Sequence, residues 1–345
     1  MTAEAQLDRT TADNHFRLGL LFAVSSALAF GSSGPFAKAL MESGWSPTAA
    51  VTARLAGGAL MMAAFASVVR PGWIREVLGH AKTVVGYGLI PIAGAQLCYY
   101  NAVAHLSVGV ALLLEYTAPI LVVGWVWATT RHRPSAMTFG GVAVAVAGIV
   151  LVLDVFSGSQ INLAGVTWGL AAAVCAACYF MMSNKASADG DGLSPISLAA
   201  GGLIVGTAAV ALLGVTGVMP LTFTTNPVTI AGHTTAWLVP VIALGLIPTA
   251  LAYTLGIVGI ARLKPRFASL VGLSEVLFAV LIAWIMLGEA MSVSQAIGGA
   301  VVLVGLALAR QGDRSEQADP GAATQVELAT WPDMALQETS ERAID

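Results

Sequence analysis

Charged residues are scarce in this sequence, and their scarcity excludes most classes of protein. The chain has 345 residues, of which 57% are hydrophobic and only 10% are Asp, Glu, Lys or Arg. A soluble domain carries about 25% charged residues, so most of this chain must face lipid. Soluble enzymes, nucleic-acid-binding proteins and secreted disulfide-rich domains are therefore excluded. The apolar runs are also too long for the strands of an outer-membrane barrel, which alternate over about ten residues.

Residues that bind metals or form catalytic motifs are equally few. The three cysteines lie in apolar runs, and Cys175-x-x-Cys178 indicates helix packing more than a redox pair. The five histidines are scattered, and the sequence has no H-E-x-x-H, G-x-S-x-G or P-loop motif. We expect no cofactor, no metal and no enzymatic activity; an intramembrane enzyme is the less favoured alternative.

Ten apolar runs predict an all-α membrane protein, because about 20 apolar residues cross the hydrocarbon layer as a helix. They lie at 18–40, 47–69, 83–104, 106–130, 136–153, 164–186, 195–217, 235–258, 265–287 and 293–309. With both termini in the cytoplasm, cytoplasmic segments hold 14 of the 16 Lys and Arg, in agreement with the positive-inside rule. The remaining two, Lys38 and Arg54, lie inside predicted helices. We therefore expect ten transmembrane helices with cytoplasmic N- and C-termini.

An internal repeat relates the two halves of the chain. A shift of 157 residues aligns 84–151 with 241–308 without a gap, including the block Gly-Leu-Ile-Pro at 88–91 and again at 245–248. Trp127 then aligns with Trp284, and Ser135 with Ser292. Because each copy has five helices, the copies must be inverted, an arrangement typical of alternating-access transporters. The predicted domains are a cytoplasmic segment 1–17, repeats 18–154 and 164–310, and an acidic disordered cytoplasmic tail 311–345.

Several short motifs resemble the EamA type of the drug/metabolite transporter superfamily. They are Gly31 to Lys38 at the end of the first helix, Pro47 and Arg54 in the second, Ala118-Pro119 in the fourth, Ser274-Glu275-Val276, and Leu287-Gly288-Glu289. Family members often have Glu-Pro where this chain has Glu275-Val276. The run from Val108 to Pro119 is also similar to the corresponding helix of threonine/homoserine exporters. The resemblance covers about residues 18–310 and implies a transporter with two five-helix halves.

Two carboxylates are predicted near the middle of the membrane, where an ionisable group costs about 3 kcal/mol or more. Glu115 lies about nine residues into helix 4, and Glu275 about ten residues into helix 9. Each is a candidate for binding and releasing a proton. The alternative is a carboxylate that is buried for helix packing and paired with a base or a backbone donor.

Arg54 lies at nearly the depth of Glu115 and always keeps its charge, so it must be paired or line water. It forms an ion pair with Glu115 or binds a substrate carboxylate, and the sequence leaves both open. Lys38 and Lys185 lie near helix ends, where a side chain reaches water easily. Of the two, Lys38 is kept as a candidate pathway residue, although such snorkelling alone explains it.

Prolines and polar side chains complete the predicted substrate or proton pathway. Pro91 and Pro248 occupy equivalent positions of the two copies, where they kink the helix and free carbonyl groups that can line a cavity. Gln96 and Tyr100, together with Tyr253 from the second copy, are candidates for hydrogen bonds to substrate. Tyr99 to Asn101 alternatively belong to an aromatic belt at the membrane surface, as Trp127 and Trp284 do.

These features predict a secondary active exporter of small metabolites, such as amino acids or related compounds, in the cytoplasmic membrane. Proton coupling is left open, and a channel-like facilitator is the alternative. The expected partners are the lipid bilayer and a small-molecule substrate, without nucleic acid; a homodimer is left open.

The topology is testable by cysteine labelling with an impermeant maleimide. A cysteine at Asn162, between helices 5 and 6, is expected to react in intact cells because that loop is external. A cysteine at Gln311 is expected to react only after permeabilisation, and its labelling in intact cells would overturn the topology.

Overall fold

The computed structural model describes residues 3–130, 133–153, 162–188, 193–252, 255–256, 259 and 265–317, and these are mostly helical. The first repeat contains α1 (Ala3–Gly31), α2 (Ser33–Glu42), α3 (Pro47–Val69), α4 (Trp73–Gly79), α5 (Ala81–Tyr87), a π-helical segment π1 (Gly88–Gly94), α6 (Ala95–His105), α7 (Val108–Glu115), α8 (Ala118–Thr130) and α9 (Ala136–Val152). The second contains α10 (Leu163–Ala188), α11 (Pro195–Val215), strands β1 (Val228–Ile230) and β2 (His233–Thr235), α12 (Leu238–Gly245), a second π-helical segment π2 (Leu246–Leu251), α13 (Pro265–Leu287) and α14 (Val293–Gln317). The strands form an antiparallel hairpin.

Many of these helices have the length and composition of membrane spans. Within the described ranges, five are long and apolar enough to cross a bilayer: Arg17–Glu42, Pro47–Val69, Val108–Thr129, Pro195–Val215 and Val293–Gly312. Shorter apolar helices cover Ala136–Val152, Leu163–Tyr179, Leu238–Thr249 and Val271–Leu287. The structure thus contains several membrane-compatible helices, and the total of ten with cytoplasmic termini stays a prediction.

Several predicted spans contain breaks that their apolar pattern does not reveal. The run 106–130 is divided between α7 and α8 at Tyr116 and Thr117, just before Pro119. Proline has no backbone N–H, so the carbonyl one turn earlier loses its helical partner. The Thr117 hydroxyl and backbone N–H both donate to the Leu114 carbonyl, at 2.6 and 3.1 Å, and so satisfy this carbonyl at the break. The run 83–104 is likewise divided among α5, π1 and α6.

Equivalent sequences of the two copies form equivalent helix starts. Ser46 and Ser194 precede the prolines that begin α3 and α11, and each side chain accepts a backbone N–H of its helix at 3.2 Å. Ser135 and Ser292 cap α9 and α14 in the same way, at 3.1 and 3.2 Å. A serine before the first helical residue satisfies an otherwise unpaired donor. The repeat is therefore expressed in local structure as well as in sequence.

Helices α9 and α14 pack closely because glycines face each other. A Cβ added to Gly148 would lie 2.6 Å from the Val302 backbone N, and one added to Gly298 would lie 2.6 Å from the Val152 backbone N. Gly141 and Gly305 make the same contact further along the pair. Small residues allow helix backbones to approach within a membrane. The sequence-based interpretation of these glycines as packing residues agrees with this geometry.

Hydrogen bonds join the two repeats at both ends of the helices. At the first face, defined by residues 43–46, 106–107, 216–237 and 288–292, Ser46 N donates to the Thr222 carbonyl and Trp45 Nε1 donates to the Thr224 carbonyl. At the second face, defined by residues 70–80 and 193–194, Glu76 accepts from Ser197 Oγ at 2.6 Å and from Ser194 N at 3.3 Å. Glu76 thus caps α11 from the opposite repeat.

Glu76 also accepts a hydrogen bond from Arg70 Nε at 3.0 Å. The Ser197 hydroxyl, and after it Arg70 and the Ser194 N–H, hold the pKa of Glu76 below its ordinary value. A carboxylate with a lowered pKa stabilises the folded state above its ordinary pKa, and this contribution disappears as the pH falls through the lowered value. The contact is therefore intact at neutral pH.

The α9–α14 contact yields a stability prediction. Gly305→Ala is expected to lower the free energy of unfolding by about 1–3 kcal/mol, because its methyl group would clash with the Ala145 backbone. Thermal melting in detergent measures the effect. Gly140→Ala is the matched control on α9, since a Cβ there meets nothing within 4 Å. Equal melting temperatures for the two variants would contradict the packing.

Candidate functional site

A cavity of about 620 Å³ lies between the two repeats. Its lining comes from α1, α2, α3, α5, π1, α6, α7 and α8 of the first repeat and from α10, α11, π2, α13 and α14 of the second. The volume is that of an ordinary small-molecule site. The lining residues come from the middle of these helices and from their halves nearer the second face. The cavity therefore extends toward the second face.

Three of the charged residues predicted from sequence line this one cavity: Arg54 of α3, Glu115 of α7 and Glu275 of α13. Arg54 and Glu275 are both close enough to Glu115 to interact with it electrostatically. Arg310, near the end of α14, also lines the cavity. The charges come from both halves of the chain, so only the folded arrangement brings them together.

Arg54 is held by polar and aromatic partners on α6. Its guanidinium donates to Gln96 Oε1 and to the Tyr100 hydroxyl, the latter at 3.4 Å. The guanidinium carbon also lies 5.8 Å from the centre of the Tyr100 ring, within the range of a cation–π contact. Tyr100 is fully buried, and its hydroxyl shares a 3.1 Å hydrogen bond with Ser33. Gln96 and Tyr100 therefore position Arg54, and Gln96 also lines the cavity.

Glu275 has a partner that the sequence analysis did not select. The Tyr116 hydroxyl donates to Glu275 Oε2 at 2.7 Å and also lies 3.2 Å from the Gly272 carbonyl. Tyr116 is the residue after Glu115, at the break between α7 and α8. A regular helix would turn successive side chains about 100° apart, yet both line the cavity. The signal in the sequence was Pro119, which predicts a helix break at this point.

The two prolines occupy matching π-helical segments. Pro91 lies inside π1 and Pro248 inside π2. Proline cannot donate to the carbonyl four residues earlier, and a wider turn accommodates its ring. Pro91 lines the cavity, whereas at π2 the lining comes from the adjacent Thr249. Tyr253, predicted to lie opposite Gln96 in the repeat, lies outside the described residues.

The remaining candidates differ in position, and of them Tyr99 lines the cavity. Lys38 forms an ion pair with Glu289 near the first face. Tyr99 and Tyr100 are buried at 4% and 0% exposure, so the belt interpretation of these two residues is wrong. Trp127 and Trp284 are exposed, which agrees with a position at the lipid surface. Within the described part of the chain, no three His, Cys, Asp or Glu side chains cluster as metal ligands.

Two repeated halves that enclose a small-molecule cavity, with apolar helices around it, define an integral membrane transporter. The chain matches the EamA-like transporter family over residues 17–154 and 163–311, and it belongs to that family. The resemblance seen in the sequence is confirmed. So is the prediction that the chain is not an enzyme, because the family and its named relatives are transporters.

Relatives of similar length carry transporter names. The chain is 30% identical over 282 residues to the threonine/homoserine exporter RhtA of Salmonella typhimurium. The aligned region covers 80% of this chain and 84% of the relative. The chain is 28% identical over 256 residues to RhtA of Escherichia coli, with 72% and 77% coverage. It is also 23% identical over 295 residues to the uncharacterized inner membrane transporter YicL of Salmonella typhimurium, with 83% and 93% coverage.

The interaction between Arg54 and Glu115 is testable by a double-mutant cycle. Arg54→Met and Glu115→Met are each expected to lower the melting temperature, because each leaves a charge of opposite sign uncompensated. The double variant is expected to recover part of this loss, with a coupling of about 0.5–3 kcal/mol. Additive effects on melting would contradict the coupling. Wild-type transport by Arg54→Met alone would separately exclude Arg54 as a substrate ligand.

Proposed function

We propose that the protein is a secondary active exporter of small metabolites, such as amino acids or related compounds, which works by alternating access in the cytoplasmic membrane. The proposal includes ten transmembrane helices in two inverted five-helix repeats, with both termini in the cytoplasm. The observation that carries it is the cavity between the repeats, where Arg54, Glu115 and Glu275 face a common space. A charge at membrane depth is expensive and is retained mainly at functional sites.

The chemistry of the cavity fits a small zwitterion. An α-amino acid presents a carboxylate and an ammonium group close together, and the cavity offers both complementary charges. The guanidinium of Arg54 suits the carboxylate, because its planar donors match the two oxygens. Glu115 or Glu275 suits the ammonium group. Two relatives are named as threonine/homoserine exporters, which supports amino acids as the first compounds to test.

The cavity faces the cytoplasm in the proposed topology, and the exporter names of two relatives support export as the direction of transport. In the proposed topology the second face is cytoplasmic, because residues 70–80 carry Arg70 and Arg75. A cavity that extends toward this face is accessible to cytoplasmic substrate. The first face is then external, and the structure represents the state that loads substrate.

Proton coupling requires a group that exchanges a proton between the two states. Glu115 and Glu275 are the candidates, since both line the cavity and lie at membrane depth. The Tyr116 hydroxyl donates to Glu275 Oε2 and so joins α13 to the break between α7 and α8. Movement of α7 relative to α13 would remove this donor and so release Glu275 to bind a proton.

The test is transport in proteoliposomes with radiolabelled threonine or homoserine. Glu115→Gln and Glu275→Gln keep the shape of the side chain and remove its ionisation. In the variant that loses the coupling proton, uptake driven by a proton gradient is expected to fall to the level of protein-free vesicles, while saturable counterflow continues. Glu76→Gln, whose carboxylate lies at the second face and is not among the cavity-lining residues, is the matched control.

Wild-type rates for both cavity variants, across about pH 5 to 8, would exclude a coupling proton on either residue. Single-channel currents in a planar bilayer, without saturable counterflow, would instead identify a channel-like facilitator. Absence of transport for every amino acid tested, together with counterflow of another metabolite, would retain the transporter and exclude this substrate class.

A further inference from the structure

We propose that Lys38 and Glu289 form the latch that closes the cavity at the first face, and that this latch opens and reforms in each transport cycle. Here the latch means Lys38, Glu289 and the backbone of residues 106–108. The proposal rests on the alternating-access function above, because only a carrier needs a gate that opens at this face. It adds two positioning residues that lie outside the cavity lining.

The latch consists of one ion pair and two backbone hydrogen bonds. Lys38 Nζ pairs with Glu289 Oε1. The same ammonium group donates to the Leu106 carbonyl at 2.9 Å. The other carboxylate oxygen, Glu289 Oε2, accepts from the Val108 N–H at 3.0 Å. Each charge therefore holds its ionic partner and, at the same time, one end of the short connection between α6 and α7.

The Leu106 carbonyl and the Val108 N–H lie at helix ends, where the helix dipole favours a charge of the sign that each one meets. Leu106 is the C-terminal cap of α6, where unpaired carbonyls favour a cation. Val108 is the first residue of α7, where unpaired N–H groups favour an anion. Ser107 occupies the N-cap position, but its side chain makes no capping bond, and its Oγ is buried without a partner in the described structure. Glu289 thus satisfies the first N–H group of α7, at a helix start where Ser107 makes no capping bond.

The latch lies where two groups of helices meet. Helices α1 and α2 pack against α13, so Lys38 and the residues that follow α13 belong to one group. Helices α6 and α7 pack against α10 and form the other group, and α7 also packs against α13. The Lys38–Glu289 ion pair lies within the first group, whereas both hydrogen bonds to residues 106–108 cross to the second. Opening of the first face therefore requires these two bonds to break as α7 separates from α13.

The position of the pair is suited to opening and closing. The side chains of Lys38 and Glu289 are 17% and 19% exposed, so water reaches them at the first face. A fully buried pair would leave two uncompensated charges when separated. At a partly exposed site, water can replace the backbone partners when the latch opens. The ion pair therefore contributes only modestly to the free energy of the closed state. The cavity meanwhile extends toward the second face, as expected when the first face is closed.

A charge swap distinguishes a latch from an ion pair that only stabilises the fold. Lys38→Glu combined with Glu289→Lys keeps an ion pair at this place. It also brings a carboxylate to the Leu106 carbonyl and an ammonium group to the Val108 N–H, so neither crossing bond can form. A structural pair would be restored by the swap, but a latch would not.

The measurement is labelling of Leu112→Cys by an impermeant maleimide added outside intact cells. Leu112 lines the cavity on α7, close to the latch. The background replaces Cys98, Cys175 and Cys178 with serine. The labelling rate is expected to be low when the latch is intact. It should rise about fivefold or more in the swap and in Glu289→Gln, because losing one or two polar contacts shifts the equilibrium by about that factor. Glu76→Gln, which breaks the ion pair at the second face, is the matched control and should leave labelling unchanged.

Thermal melting of the same proteins in detergent provides the second measurement. The swap is expected to melt near the parent temperature while its counterflow rate falls, because its ion pair persists but its gate no longer closes. Labelling and counterflow equal to the parent would overturn the latch. The labelling result does not depend on which substrate is carried, so failure of the proposed substrate leaves this test intact. Rapid labelling of the parent itself would also overturn the latch.

Discussion

The energetic cost of a charge in hydrocarbon is the constraint on which the rest of this structure depends. Within the described helices, the charged side chains at membrane depth converge on one cavity or lie near helix ends. Arg54, Glu115 and Glu275 share the cavity, and Lys38 is neutralised by Glu289 at the first face. Because each charge has a partner or faces the cavity, the surrounding helices can present apolar side chains to lipid. The same arrangement concentrates the chemistry of the protein in one place.

The internal repeat explains the framework but not the site. Serine caps, prolines in π-helical segments and facing glycines occur in both copies, so the two halves have similar local structure. The charged groups are not duplicated. Glu275 aligns with Ala118 in the first copy, and the alignment that matches Pro47 with Pro195 places Gly202 opposite Arg54. Gly202 instead provides close packing, since a Cβ there would lie 2.8 Å from Ile92 Cδ1. A symmetric scaffold thereby holds an asymmetric cavity, as the proposed zwitterionic substrate would require.

The two faces of the molecule differ in how they are held. At the first face, the ion pair and the hydrogen bond from the Val108 N–H to Glu289 cross the repeat boundary, while at the second face the cavity approaches the surface. Glu76 joins the repeats on the second face through α11, away from the cavity-lining charges. Because the two connections lie at opposite faces, the Glu76 contacts can persist while the contacts of Lys38 and Glu289 break. This separation is the physical basis for proposing Lys38 and Glu289, and not Glu76, as the gate.

Composition and periodicity by themselves determined the class of this protein. Few charges and long apolar runs require a membrane, and the repeated motifs place the chain in a transporter family. The cost of burial also singled out Arg54, Glu115 and Glu275 from the sequence alone. Only the tertiary structure decided the partners: Gln96 and Tyr100 for Arg54, Tyr116 for Glu275, and Glu289 for Lys38. These contacts join residues 42 to 251 positions apart, and local sequence carries no information about such distances. The break at Tyr116 and Thr117, which turns two successive side chains toward one cavity, likewise depends on how α7 packs within the fold.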